Sequence, residues 1–146
     1  MKSSFPKQQK GAAAIEFALV FVVFFAVFYG IVSYSLPLLL MQSFNQSTAE
    51  AVRRSVAVDP NAPGYAATVQ ATATAELTRQ LAWIPGALNF NVATDATITF
   101  VAGVLRVEIN YPTHKLNRVV PFLKLPGIGS VPSLPANLSA SSSLQF

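Results

Sequence analysis

Few side chains in this sequence could carry out acid, base or nucleophilic chemistry. His114 is the single histidine, and the short stretch around it predicts a solvated side chain in or beside a loop. The chain has no cysteine, which excludes disulfides, thiol catalysis and thiolate metal sites. With one histidine and no cysteine, a transition-metal site is not indicated, and no cofactor is predicted.

The carboxylates and large aromatic residues of the C-terminal half also have simple structural interpretations. Asp59 lies in a turn sequence and Asp95 precedes a strand, and both are expected to bond their own backbone. Glu108 can pair with a cation across a strand, while Trp83 and Tyr111 are predicted core residues. The sequence has neither a Gly-x-Ser-x-Gly motif nor a phosphate loop, so an enzyme is not indicated.

One carboxylate stands apart, because Glu16 lies at the start of a long apolar run, five places after Gly11. Residues 17–32 contain no charge, and twelve of these sixteen residues are Phe, Leu, Ile or Val. Together they contribute about −4 to −7 kcal/mol to membrane insertion. A helix over residues 12–36 is long enough to cross a bilayer, which takes about 20 residues. Glu16 could then be solvated by headgroups at interfacial depth, or it could require a partner.

The charge distribution predicts the orientation of this membrane segment. The chain is 52 % hydrophobic and 11 % charged, well below the roughly 25 % charged residues of ordinary soluble domains. Lys2, Lys7 and Lys10 precede the apolar run, and no further positive charge occurs before Arg53, so the N-terminus is expected in the cytoplasm. No basic stripe with interleaved aromatics occurs, so nucleic-acid binding is not predicted. A secretory signal cut after Ser35 is the rival interpretation.

Helical spacing divides the apolar segment into two faces. A ridge of phenylalanines is predicted on one face, and smaller side chains share another. Ala26 and Gly30 form a small-xxx-small pair that lets another helix approach closely, although a helix this rich in small residues can show such a pair by chance. The ridge comprises Phe17, Phe21, Phe24 and Phe28, and the candidate packing residues are Ala18, Ala26 and Gly30.

Beyond the apolar segment the pattern predicts an exported domain in which a helix packs on a small antiparallel sheet. Pro37 is expected to bend or interrupt the first helix, which otherwise continues to residue 57 and should complete the core of the domain. A second helix is predicted over residues 63–83, with an apolar stripe at helical spacing. That stripe comprises Val69, Ala73, Leu77, Leu81 and Ile84.

Period-two alternation then predicts strands. Residues 88–92 and 96–101 are each predicted as a strand, and residues 97–111 as a hairpin with a turn at 102–103. Residues 112–136, with five prolines, are predicted to form a long irregular loop, and residues 137–146 a last strand. The fold class is therefore α+β: a leader over 1–11, a long helix over 12–57 and an exported domain over 58–146.

The N-terminal pattern resembles the class III signal peptide of the type IV pilin superfamily in its tight-adherence (Tad, Flp) branch. A basic leader ends at Gly11, and "AAAIEF" places Glu16 fifth and Phe17 sixth in the segment that follows. The stretch over residues 45–58 is similar to the Ala- and Arg-rich end of the first helix in TadE-like pseudopilins. A helix followed by strands fits this group better than the shorter major pilins, with TadE and TadF types both open.

The resemblance implies a structural role in a bacterial inner membrane, with the C-terminal domain in the periplasm or carried into a pilus. It implies that a prepilin peptidase cuts between Gly11 and Ala12, and that Glu16, followed by Phe17, pairs with an amine during assembly. The implied partners are that peptidase, other pilins or pseudopilins, and the inner-membrane assembly platform with its ATPase. The alternative is an uncleaved single-span protein that presents a periplasmic interaction domain.

Overall fold

The computed structural model describes residues 9–125, 127 and 129–146 of the chain. Its first helix, α1, spans Gln9–Ser55, which corresponds to about 70 Å at 1.5 Å per residue. The first eight residues of the predicted leader lie outside the described residues. The described part of α1 includes the predicted cleavage position between Gly11 and Ala12, and the helix continues through the buried Pro37.

The second helix, α2, spans Tyr65–Gln80 and packs beside the C-terminal half of α1. Four of the five residues in its predicted apolar stripe are buried, and Ile84 packs against them partly buried beyond the helix end. On α1, the buried positions recur at helical spacing between Leu40 and Ser55. The outer half of α1 therefore completes the core of the folded domain, as predicted.

A three-stranded antiparallel sheet completes the domain in the order β1-β2-β5. Strand β1 spans Ala96–Val101, the central β2 spans Val104–Pro112, and β5 spans Asn137–Gln145. The two-residue turn between β1 and β2 has positive φ angles at Ala102 and Gly103, as a tight hairpin requires. The predicted hairpin and last strand are confirmed. The inward residues of β2, all fully buried, are Leu105, Val107, Ile109 and Tyr111.

The core joins the sheet to both helices. The ring of Phe44 on α1 lies 5.4 Å from the ring of Phe90 and 5.9 Å from that of Tyr111, measured between centroids. The Tyr111 hydroxyl donates a hydrogen bond to the Leu88 carbonyl oxygen at 2.7 Å. These contacts fix the connection between α2 and β1 against the outer half of α1, and the predicted α+β class is confirmed.

Residues 88–92 are not a strand, contrary to the prediction. A 3-10 helix spans Gly86–Leu88, and a short helix, α3, spans Val92–Asp95. Asn89 adopts a left-handed conformation, and the Asn91 side chain accepts a hydrogen bond from the Ala93 amide, as a helix N-cap does. Leu88 and Phe90 still face the core. The alternating pattern therefore predicted which side chains are buried, but it did not predict the backbone conformation.

Two further predictions are wrong in part. Residues 112–136 contain more order than a long loop: a 3-10 helix over Thr113–Arg118, then strands β3, Leu123–Leu125, and β4, Gly129–Val131, which pair as a hairpin. Trp83 is 45 % exposed and is therefore not a core residue. It lies just after the end of α2, where the chain turns towards Pro85.

Candidate assembly surface on the first helix

The inner half of α1 differs sharply from its outer half in exposure. Every described side chain from Gly11 to Phe28 is exposed, including large apolar residues such as Phe17, which is 71 % exposed. Among the described residues, α1 is the one helix long and apolar enough to cross a membrane. Because such a surface is unfavourable in water, this half of the helix is suited to a membrane environment.

The predicted processing and pairing residues all lie in the first turns of this exposed half. Gly11 and Ala12 are helical and accessible, and a Cβ built at Gly11 meets no atom within 4 Å. Glu16 is one helical turn after Ala12, so the two share a face. No ion pair or hydrogen bond joins Glu16 to any of the described residues.

The phenylalanines form two rows rather than the single predicted ridge. Phe21 lies between Phe17 and Phe25, with both pairs of ring centroids 6.1 Å apart. Phe24 and Phe28 form a neighbouring stacked pair at 6.2 Å. Each row follows an i, i+4 spacing, which aligns side chains more directly than the mixed spacing of the predicted ridge.

The candidate packing residues lie on α1 with different surroundings. Ala18 and Ala26 are exposed, whereas Gly30 is half-buried, and a Cβ added at Gly30 would meet no atom within 4 Å. These small, accessible residues leave room for another helix to approach closely. The β3–β4 hairpin, however, comes close to the same side of the helix at Ala26.

The contact between the hairpin and the inner half of α1 was not foreseen from the sequence. The hydroxyl of Tyr29 donates to the Pro121 carbonyl oxygen, and the Ser133 amide donates to the Tyr34 hydroxyl at 2.8 Å. Two tyrosines near the end of an apolar helix were the available signal, since such residues favour membrane interfaces. A groove of about 420 Å³ between hairpin and helix is lined by Phe21, Val22, Phe25, Ala26, Tyr29, Leu123 and Val131.

A charged cluster ties the C-terminal end of α1 to α2. Arg79 and Gln80 donate to the Glu76 carboxylate at 3.0 and 2.8 Å, and Arg54 on α1 lies 3.9 Å from it. Hydrogen bonds from Arg79 and Gln80 lower the pKa of Glu76 to about 2. Its i, i+3 and i, i+4 partners could have been read from the sequence, but the link to Arg54 could not. The cluster has a structural explanation and is not an acid–base site.

A buried ion pair fixes the 3-10 helix against α3. Lys115 Nζ lies 2.7 Å from the Asp95 carboxylate and also donates to the Asn89 carbonyl oxygen at 3.1 Å. Burial raises the pKa of Tyr111 to about 12, and the nearby Asp95 carboxylate adds to this shift. Asp95 also accepts a hydrogen bond from the nearby Asn91 amide, so a local backbone bond is present as predicted, but the ion pair with Lys115 was not predicted. His114 is exposed, also as predicted.

A second groove, of about 630 Å³, lies between the end of α2 and strand β1. Thr74, Thr78 and Asn91 provide its polar side chains, and the remaining lining residues are apolar. None of its lining residues has an ionisable side chain, so the groove brings no acid or base to a bound molecule. The exposed inner half of α1 is therefore the stronger functional candidate.

Comparison with known proteins identifies the same part of the chain. The family model described as "TadE-like protein" matches residues 11–53, which begin at Gly11 and include Glu16 and the whole apolar segment. The match ends near the C-terminus of α1 and does not extend into α2 or the sheet. No curated protein and no solved structure matches the chain.

Proposed function

We propose that this protein, which is TadE-like over residues 11–53, is a minor pilin or pseudopilin that takes part in the assembly of a Tad-type pilus. The family is a pilin-type family rather than an enzyme family, and the anchoring helix fits a subunit that starts in a membrane. The observation that carries the proposal is Glu16: an exposed carboxylate on an apolar helix, without a partner among the described residues of its own chain.

Maturation is the first part of the proposal. A prepilin peptidase cuts between Gly11 and Ala12 on the cytoplasmic side, which removes three lysines and creates a new amine at Ala12. Both residues are accessible and small, which supports access to the backbone. Because they lie within α1, the peptidase must open this part of the helix to reach the backbone between them.

Processing is tested by the mass of the mature N-terminus. We expect a chain that begins at Ala12, whereas an intact leader supports the uncleaved single-span protein and a start at Leu36 supports secretion. Gly11→Val should block the cut because a branched side chain replaces hydrogen beside the scissile bond. Gly30→Val is the matched control and should be processed normally. Normal maturation of Gly11→Val would contradict the peptidase assignment.

Pairing of Glu16 is the second part of the proposal. A carboxylate within a membrane costs about 2.5–3.5 kcal/mol near the centre of a helix unless a partner relieves that cost. After cleavage, the Ala12 amine of the same chain lies one turn away, and that of a neighbouring subunit can reach the same carboxylate during assembly. The pairing would hold subunits in register, with Phe17 packing beside the pair.

Substitution of Glu16 separates assembly from maturation. Glu16→Ala and the closer isostere Glu16→Gln should leave insertion and cleavage intact but reduce the number of pili, because both remove the charge. Glu50→Gln is the control, since that carboxylate lies on the same helix but pairs with Arg53 and Arg54 outside the apolar segment. Wild-type piliation of Glu16→Gln would contradict the pairing account.

The proposed partners and location follow from this role. They are the prepilin peptidase, other pilins or pseudopilins, and the assembly platform with its ATPase, which acts indirectly. The lysines on the N-terminal side support an N-terminus in the cytoplasm and a domain after α1 in the periplasm, from which the subunit enters or caps the fibre. Ala18, Ala26 and Gly30 are proposed to contact a neighbouring helix.

A further inference from the structure

The β3–β4 hairpin follows α1 towards its N-terminus. Its base is bonded to Tyr34 through the Ser133 amide, and the Pro121 carbonyl oxygen is bonded to Tyr29 one to two turns deeper. Further along, Leu123 and Val131 form a groove with helix residues as deep as Phe21. Successive hairpin residues therefore lie beside successively more apolar turns of the anchoring helix.

The depth of these contacts matches the outer layer of a bilayer. If a hydrocarbon layer of about 30 Å begins at Gly11, it takes up about 20 helical residues and ends near Gly30. Phe25 and Ala26 then lie about 6–8 Å inside its boundary, within the roughly 5–10 Å depth of interfacial segments. Leu123 and Val131 share a groove with these two helix residues.

The composition of the segment fits such an environment. Val119 and Leu123 are exposed despite their apolar side chains, at 45 % and 44 %. Residues 112–136 contain three Lys or Arg residues and no acidic residue. Lys115 is paired with Asp95, while Arg118 and Lys124 are exposed and form no ion pair with the described residues.

We infer that the β3–β4 hairpin is a lipid-binding element of the folded domain. It inserts Leu123 and Val131 into the leaflet on the domain side of the membrane. Arg118 and Lys124 then bind the phosphate groups of the lipid heads, where each basic side chain adds to the attraction of an anionic surface. The domain is thereby held against the bilayer as well as tethered to it.

A neighbouring copy of the helix is the competing occupant, and charge argues against it. Residues 17–32 of such a helix carry no charge, so they offer nothing to complement Arg118 and Lys124. A lipid leaflet provides both an apolar layer, from its acyl chains, and anionic phosphates within a few ångströms of it. The lipid surface thus accounts for the apolar side chains of the hairpin together with Lys124 on β3 and Arg118 at the end of the preceding 3-10 helix.

The test is depth-dependent quenching in the full chain. Because the protein has no native cysteine, Leu123→Cys can carry a single NBD fluorophore in proteoliposomes made with or without lipids brominated in their acyl chains. Ser130→Cys on β4 is a second reporter that leaves Leu123 intact. Val101→Cys is the matched control, because Val101 is a 70 % exposed apolar residue at the opposite end of the sheet.

Brominated lipids should quench the label at positions 123 and 130 and leave position 101 unchanged. Equal quenching at 123, 130 and 101 would overturn the inference. It would also be overturned if the label at 123 were shielded only when several copies share one vesicle, because the occupant would then be a second copy. Neither result bears on whether the protein is processed after Gly11.

Charge is tested by lipid composition. The double substitution Arg118→Gln, Lys124→Gln should reduce quenching at position 130 in vesicles containing phosphatidylglycerol and leave it unchanged in phosphatidylcholine alone. Arg106→Gln, on the far part of β2, is the control and should behave as the parent protein in both. If the double substitution has no effect in the anionic vesicles, binding of headgroups by the two cations is wrong.

Discussion

Glu76 shows how a single carboxylate can link the two helices. Its folded-state pKa of about 2 lies below the ordinary value of 4.5, because Arg79 and Gln80 bond the charged form. A lowered folded pKa contributes stability above the unfolded value, and that stability is lost as pH falls. We therefore expect the thermal midpoint of the detergent-solubilised protein to fall between about pH 4.5 and pH 2.

Glu76→Gln should lower the midpoint at neutral pH and flatten its dependence on pH within this window. Glu108→Gln is the control. The Glu108 carboxylate forms a long ion pair of 3.8 Å with Arg106, both side chains are solvent-accessible, and such surface pairs contribute little to stability. The midpoint can be followed by circular dichroism from pH 7 to pH 2. An unchanged pH dependence in Glu76→Gln would show that other carboxylates account for the acid sensitivity.

At the residue scale, the sequence predicted burial better than polar partners. Helical spacing identified the stripe from Val69 to Leu81 because hydrophobic burial acts on each side chain of one face. Glu16 and Gly11 were found because an acid and a glycine are conspicuous beside an apolar run. The buried position of Glu76 and the exposure of Trp83 were missed, since both depend on which neighbouring segment covers the site.

The turn between β1 and β2 depends on two consecutive left-handed residues. Gly103 has a φ of 77°, and a Cβ there would lie 3.3 Å from the Phe146 carbonyl oxygen. Gly103→Ala should therefore lower the free energy of unfolding by about 1–2 kcal/mol. Ala102 has a φ of 50°, so Ala102→Gly relieves a strained backbone and should change stability in the opposite direction.

Urea unfolding followed by circular dichroism compares the two substitutions in the same hairpin. Because the two substitutions are at adjacent positions of one turn, general effects of changing the loop should be the same in both variants. The two variants differ chiefly in whether a Cβ is added to or removed from a left-handed residue. Destabilisation of equal size in both variants would contradict the turn geometry and point to a general effect of altering the loop.

At the element scale, local sequence patterns predicted a strand correctly where hydrophobic burial of one face is the dominant interaction. Apolar and polar residues alternate strictly over 105–111, and β2 is the central strand with one face buried. Residues 88–92 alternate as well, but Asn89 is left-handed and the Asn91 side chain caps α3. These residues do not join a β-ladder, because hydrogen bonds from side chain to backbone compete with strand pairing. The β3–β4 hairpin was missed because its prolines suggest a loop, and its partner is the distant helix.

At the scale of the whole molecule, α1 belongs to two environments. Its inner half is exposed and apolar, whereas its outer half contributes Leu40, Phe44, Ala51 and Val52 to the core of the domain. The sequence predicted this division because the uninterrupted apolar segment is followed by a stretch in which polar and apolar residues are mixed. It could not predict that Phe44 meets Phe90 and Tyr111, since these contacts join segments over 40 residues apart.

Two phenylalanines of α1 test this division in the intact chain. Phe44 is fully buried, so Phe44→Ala leaves a cavity beside Tyr111 and should cost about 3–5 kcal/mol of stability. Phe24 is 64 % exposed on the inner half, so Phe24→Ala should leave the unfolding of the domain unchanged in detergent. Thermal unfolding followed by circular dichroism distinguishes them. Equal midpoints would mean that the domain holds its core without α1, and that the helix is an anchor alone.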